Sequence, residues 1–249
     1  MKITYITGAS SNHFNTLLQF IETFEKHNSN NNINLIIYDL GLTNNEVIKM
    51  KSKFNNPIYI YKKFDYSKYP SFVNININFG EYAWKPIIIY NTCEEFGGIV
   101  IWMDSGTYLT NNLNKIHQIL ENNYIYSPNC NTKVLKFMHK KTLEYMNWDK
   151  ININNIKKKY LKSRLAGFVG FNYNVKWIKD FIKEWYNCSL VKECIAPIGS
   201  NRRNHRQDLS VFNILYYKFW SMYKFKIVNN RINFMIHKDI DKSNRKWYN

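Results

Sequence analysis

Three observations predict an α/β chain, a single domain with a mainly parallel central sheet flanked by helices. First, short β-branched runs at residues 2–6, 33–38 and 58–61 alternate with stretches of helical periodicity. A β-α-β-α-β order with connections of this length builds parallel strands through right-handed crossovers. Second, Gly98-Ile99-Val100-Ile101-Trp102-Met103 is an apolar run behind a glycine pair, the pattern of a strand buried on both faces. It stops at Asp104, and Gly106 permits a sharp turn directly afterwards. Third, 249 residues with 45% hydrophobic side chains suffice for one sizeable core.

The elements follow in order. The strand at 2–6 is expected to close at Thr7-Gly8-Ala9-Ser10, before a helix that buries Phe14, Leu17, Leu18, Ile21 and Phe24. After a polar loop at 28–32, the strand at 33–38 ends at Asp39. Thr43, with Glu46 three residues later, reads as the capping box of the next helix. Residues 65–79 read as an irregular connection, and a helix opening at 81–86 accommodates Pro86 in its first turn. Leu113, Ile116, Ile119 and Leu120 mark a helix beyond the Asp104 strand. The Asn- and Lys-rich residues 148–160 are either a mobile loop or an insertion. The glycines of the apolar run 165–171 predict close backbone approach to a ligand or neighbour. Helices follow at 175–186 and 209–220, separated by a polar loop, and 225–228 is expected to be a last short strand.

Composition narrows the function less than it first promises. The net charge of +17 favours polyanionic partners. The chain is also saturated with Asn, Ile, Lys, Tyr and Phe, all specified by A/T-rich codons, so codon supply accounts for much of the lysine. The basic residues are dispersed and carry no recognition motif, and a nucleic-acid-binding protein is the less favoured reading. Cys93, Cys130, Cys188 and Cys194 form no CxxC pair, which argues against a zinc site. Free thiols in a reducing compartment are the default, with a Cys188–Cys194 bridge the alternative. No signal core precedes the first strand and no run reaches membrane-spanning length, so a cytoplasmic protein without a transmembrane segment is expected.

Several residues could carry chemistry. The carboxyl ends of central strands are where open α/β sheets bind ligands. Asp104 there could hold a divalent cation carrying phosphates, with a turn or cap role as its alternative. Asp39 ends its strand in the same way. Amides and hydroxyls of Thr7, Gly8, Ala9 and Ser10 could meet a nucleotide, although the segment has neither a dinucleotide fingerprint nor a phosphate-loop lysine. Lys85, just ahead of the central strand, could reach a diphosphate or pair with Asp104. Arg202, Arg203, His205, Arg206 and Asp208 are the densest ionisable cluster. Its arginines could clamp an anion, and Asp208 could act as a general base or as a helix N-cap. His237 could return to the sheet edge as a metal ligand, and 238–242 reads as a solvated tail.

Read together, Thr7-Gly8-Ala9-Ser10, Tyr38-Asp39-Leu40-Gly41-Leu42, Tyr82-Ala83-Trp84-Lys85-Pro86, Trp102-Met103-Asp104-Ser105-Gly106, Ala166-Gly167-Phe168 and His205-Arg206-Gln207-Asp208-Leu209-Ser210 carry a resemblance. The chain resembles GT-A-fold glycosyltransferases, within a group of nucleotide-diphospho-sugar transferases known from animals and large DNA viruses. That resemblance implies a Rossmann-like domain over 1–249, with a nucleotide-sugar-binding half at 1–110 and an acceptor-side half at 111–249. It implies a hexose transferred from a UDP-sugar to a glycan or protein acceptor, in the host cytoplasm or virion if the protein is viral. Thr7, Gly8, Ala9, Ser10, Asp39, Lys85, Asp104, Ser105 and Arg206 would bind the donor, and Asp208 would be the catalytic carboxylate. Manganese or magnesium would sit on Asp104 and His237 with the diphosphate; the alternatives are that Asp104 contacts the ribose or sugar, or works without metal beside Lys85. The family's Asp-x-Asp motif here reads Asp104-Ser105-Gly106, so the second carboxylate is missing. A catalytically inactive nucleotide-sugar-binding module is therefore the alternative from a second class.

Overall fold

Strand β1 (Ile3–Ala9) is central because both of its faces carry side chains that avoid water, Tyr5 on one and Ile6 on the other. The structure is a computed structural model that describes residues 2–28, 33–151, 157 and 161–241. Helix α1 (Phe14–His27) leads to β2 (Ile33–Asp39), and α2 (Asn44–Lys53) leads to β3 (Tyr59–Lys63). Short helical turns connect to α3 (Trp84–Phe96), β4 (Ile99–Met103) and β5 (Tyr108–Leu109). Then come α4 (Asn114–Asn123), β6 (Ile125–Tyr126), β7 (Asn129–Lys133) and α5 (Lys140–Tyr145). The described chain closes with β8 (Lys162–Arg164), β9 (Phe168–Asn172), α6 (Lys176–Ser189), α7 (Lys192–Ile195), α8 (Gln207–Tyr223) and β10 (Phe234–Met235).

The main sheet has the order β3-β2-β1-β4-β9-β6. Strands β1 to β4 pair in parallel and β9 runs against both of its neighbours, so the sheet is mixed but mainly parallel, as expected. Ile99, Ile101 and Met103 share one core with Leu17, Phe20 and Phe24 of α1 and Leu120 of α4. Val100 and Trp102 point the other way, to Ile87 and Ile88 of α3, Phe181 and Trp185 of α6, and Phe212 of α8. Apolar side chains thus alternate into two cores, and β4 is buried along its whole length. Thr43 and Glu46 do form the capping box of α2.

Five sequence expectations are corrected. Strand β1 does not close at Thr7 but runs on to Ala9, because its parallel register with β2 holds until Ala9 faces Asp39. Helix α3 starts at Trp84 rather than Glu81; residues 78–82 instead take left-handed backbone angles, with φ from 46° to 62°. A side chain at Gly80 would run into the Val73 carbonyl. Residues 225–228 form no strand, because side chains take their backbone groups: Asn123 pairs with Lys226, and the buried Arg164 guanidinium donates to the Val228 carbonyl. Strand β10 lies further on and pairs with β5. Cys188 and Cys194 are bonded across the α6–α7 connection, while Cys93 and Cys130 remain free thiols. Finally, the segment through Asp241 is not a solvated tail. Asp241 accepts from the backbone amide of Thr16 at 2.8 Å and from its hydroxyl at 2.6 Å, at the first turn of α1. Most of 148–160, together with 29–32 and Lys242, lies outside the described residues.

Candidate functional site

The carboxyl edge of the sheet gathers charge from three separate elements. Asp104 follows β4, Lys85 lies in the first turn of α3, and Asp208 lies in the first turn of α8. Lys85 Nζ stands 2.9 Å from Asp104 Oδ1 and 2.9 Å from Asp208 Oδ2. The Lys85 and Asp208 side chains are buried, whereas that of Asp104 is 46% exposed. One ammonium is therefore shared by two carboxylates, and the exposed one opens outward. Burial opposes the Lys85 charge, but Asp104 and Asp208 outweigh it and leave its pKa above the usual lysine value. Burial raises the Asp208 pKa, and the Asp104 charge adds to that, with Lys85 only partly opposing them. Asp208 sits inside its helix, so the N-cap role, which falls to Arg206, is not the one it plays.

Asp104 is held closely. Its Oδ1 also accepts from the Trp102 indole N–H at 2.7 Å, and its backbone amide donates to the Gly167 carbonyl at 2.8 Å. A Cβ on Gly167 would lie 2.5 Å from Asp104 Oδ2, the close approach expected from the glycines of that run. The turn beyond is closed by Thr107 N–H donating to the Asp104 carbonyl at 2.9 Å, so residues 104 and 106 share one four-residue loop. Ser105 is buried in that loop.

Two site residues escaped the sequence reading. Gln207 donates to the buried Glu81 carboxylate at 3.3 Å, and Asn78 donates to the other Glu81 oxygen at 2.7 Å. The Gln207 carbonyl oxygen is buried with no hydrogen-bond partner among the described residues, and its backbone φ is 36°. A buried acceptor without a partner among the described residues, on a backbone in the left-handed region, thus stands next to Asp208. Gln207 entered the sequence reading only within the His205–Ser210 block, with no role of its own. Glu81 gave no signal, because its partner lies 126 residues away.

The other candidates are placed apart from this triad or differently engaged. Asp39 is buried; its Oδ1 accepts from the amides of Gly41 and Leu42 at 2.7 and 2.6 Å, and its Oδ2 from the Tyr61 hydroxyl at 2.7 Å. These bonds shape the β2–α2 loop. Thr7, Gly8 and Ala9 are strand residues, and Ser10 bonds to Asn12 at 2.7 Å. The Arg206 guanidinium lies over the Phe137 ring and that of Arg202 over the Tyr82 ring. His237 is exposed on the segment that crosses Gly106, where the Lys238 amide donates to the Gly106 carbonyl at 2.9 Å. Among the described residues no three His, Cys, Asp or Glu side chains gather as a metal-holding group.

His205 is structural. It is buried, its Nε2 pairs with the Ile195 carbonyl at 2.8 Å, and its Nδ1 accepts from the His139 amide at 3.2 Å. Burial lowers its pKa to about 4. The unfolded chain therefore binds this proton below about pH 6.5 while the folded chain does not. Stability is expected to fall as pH drops from 6.5 towards 4, by about 1.4 kcal/mol per unit from this group. Urea titrations across that range check this, with His205→Gln flattening the slope.

Comparison with known proteins adds the fold. A family model described as a protein of unknown function, DUF1647, matches residues 1–90. No curated protein matches the chain. The galactosyltransferase LgtC, solved with donor and acceptor sugar analogues, aligns at 13% identity over 86% of this chain and 70% of its own, with a TM-score of 0.55. Mouse xyloside xylosyltransferase 1 aligns at 8% identity over 91% and 84%, with a TM-score of 0.52. The glycosyltransferase GlyE of Streptococcus pneumoniae aligns at 11% identity over 87% of this chain but 43% of its own, with a TM-score of 0.51. No helix among the described residues is long and apolar enough to cross a membrane. The likeness lies in the fold: the chain folds as GT-A glycosyltransferases do.

Proposed function

We propose that the protein is a glycosyltransferase that moves a hexose from a nucleotide-sugar, UDP-linked by preference, to a glycan or protein acceptor. The observation that carries this reading is the buried Lys85 ammonium held between Asp104 and Asp208 at the carboxyl edge of the sheet. Glycosyl transfer must stabilise a departing diphosphate and a sugar that becomes cationic. The half-exposed Asp104 carboxylate faces the open side and meets the donor. Asp208, buried with a raised pKa, lies beside the sugar; it stabilises positive charge there or takes a proton. Lys85 holds both carboxylates in place, and the unsatisfied Gln207 oxygen accepts from a donor hydroxyl.

In this reading a divalent cation, manganese or magnesium, would be held by the Asp104 carboxylate and the His237 imidazole together with the donor's phosphates. Such ions use one or two carboxylates together with substrate phosphates, so a three-residue protein cage is not required. When bound, the ion would neutralise charge on the departing diphosphate.

Isothermal titration with a panel of nucleoside diphosphates, with and without Mn2+, tests the reading. Binding of UDP together with slow hydrolysis of a UDP-sugar is expected. Absence of binding by every nucleotide overturns it, and binding without any turnover across many acceptors identifies an inactive sugar-nucleotide-binding module instead.

A further inference from the structure

We infer that the loop between α7 and α8 docks the protein on an anionic lipid surface. Ile198 enters the bilayer interface, and Arg202 and Arg203 meet lipid phosphates. Ile198 is 83% exposed although the loop around it is tightly built. Ser200 N–H donates to the Pro197 carbonyl at 2.9 Å, closing a turn with Ile198 and Gly199 at its corners. Gly199 takes a φ of 91°, a conformation that favours glycine. A second turn follows directly: Asn204 N–H donates to the Asn201 carbonyl at 3.0 Å, and Arg202 and Arg203 hold its corners. The Asn204 side chain ties the two turns together. It accepts from the Asn201 amide at 2.8 Å and donates to the Gly199 carbonyl at 3.0 Å. Pro197 is buried at the near end, and His205, bonded to Ile195 and His139, anchors the far end.

The surroundings suit a negative surface. Neither Arg202 nor Arg203 pairs with a carboxylate among the described residues, and both are exposed. A Cβ on Gly199 would lie 3.6 Å from His139 Nε2, so the start of α5 adjoins the first turn. It brings the exposed Lys140 and Lys141, of which Glu144 takes up Lys140 at 3.4 Å. Phosphate oxygens accept from guanidinium N–H groups, and an anionic lipid surface attracts each cation near it. The net charge of +17 adds attraction at long range but chooses no face of the molecule. Ile198 makes the choice, because an apolar tip gains from lipid and a nucleic acid would leave it in water. A loop already fixed by its own hydrogen bonds loses little conformational freedom on docking. None of this depends on the donor reading.

The test is sedimentation of the full chain with vesicles of equal parts phosphatidylcholine and phosphatidylserine, beside vesicles of phosphatidylcholine alone. The wild type is expected to bind the anionic vesicles about tenfold or more tighter than the neutral ones, and less as salt rises. Ile198→Ser should weaken that binding about tenfold. Arg202→Gln/Arg203→Gln should weaken it about thirtyfold. Lys224→Gln/Lys226→Gln removes as much charge beyond the other end of α8 and should change binding less than about threefold. Melting curves establish that each variant is folded. No binding to the anionic vesicles, full binding by Ile198→Ser, or equal losses in the two double variants overturns the assignment. Self-association that Ile198→Ser abolishes, without vesicle binding, overturns it in favour of a second copy of the chain. No readout here involves a nucleotide-sugar, so the proposed function stands or falls separately.

Discussion

Lys85→Met is expected to abolish glycosyl transfer and to cost about 3–5 kcal/mol of stability. The variant keeps the stem of the side chain and removes only the ammonium. Asp208 would then be left buried without its cation, and breaking one partner of a buried pair leaves an uncompensated charge. Asp104 contributes less to the loss, because water screens its half-exposed carboxylate. For a chain of this size the melting temperature should fall by roughly 10 °C. Asp208→Asn added to Lys85→Met removes the stranded charge, so the double variant should be more stable than Lys85→Met while remaining inactive. Thermal melts and UDP release from a UDP-sugar measure the two effects separately. Normal turnover in Lys85→Met would remove the triad from the mechanism.

The second large effect is on activity alone. Asp104→Asn retains an oxygen to accept from Trp102 but removes the charge presented to the donor. Turnover is expected to drop about 100- to 1,000-fold, the loss typical of one preorganised group acting on developing charge. Stability should change by less than about 1 kcal/mol, because the carboxylate is 46% exposed. Asp104→Ala should lose the same activity and, in addition, leave the Trp102 N–H without its acceptor. Donor hydrolysis followed beside a urea melt checks both variants. Wild-type-like turnover in either would take Asp104 out of the site.

How well each element could be read depended on how locally its residues decide their structure. The first three strands, the Thr43–Glu46 cap and the buried β4 follow from periodicity and nearest-neighbour hydrogen bonding, and these were legible. The segment at 225–228 was not: its apolar pattern fits a strand, but Arg164 and Asn123, distant in sequence, take its backbone groups. The start of α3 was misread for a related reason. Its left-handed approach is held by packing against Val73 and by the Glu81–Gln207 contact rather than by local propensity.

The same division runs through the site. The amino-acid sequence by itself determined a mainly parallel α/β sheet, a carboxylate at the end of its central strand, and the candidacy of Lys85 and Asp208. Only the tertiary structure decided that one ammonium is shared by both carboxylates, that Asp39 accepts from its own loop and from Tyr61 of β3, and that the C-terminal segment brings Asp239 to Gly106. The physical reason is range. Strand and helix patterns are written in side chains a few positions apart, whereas a buried charge is settled by whichever partner the fold brings within about 3 Å, however distant along the chain.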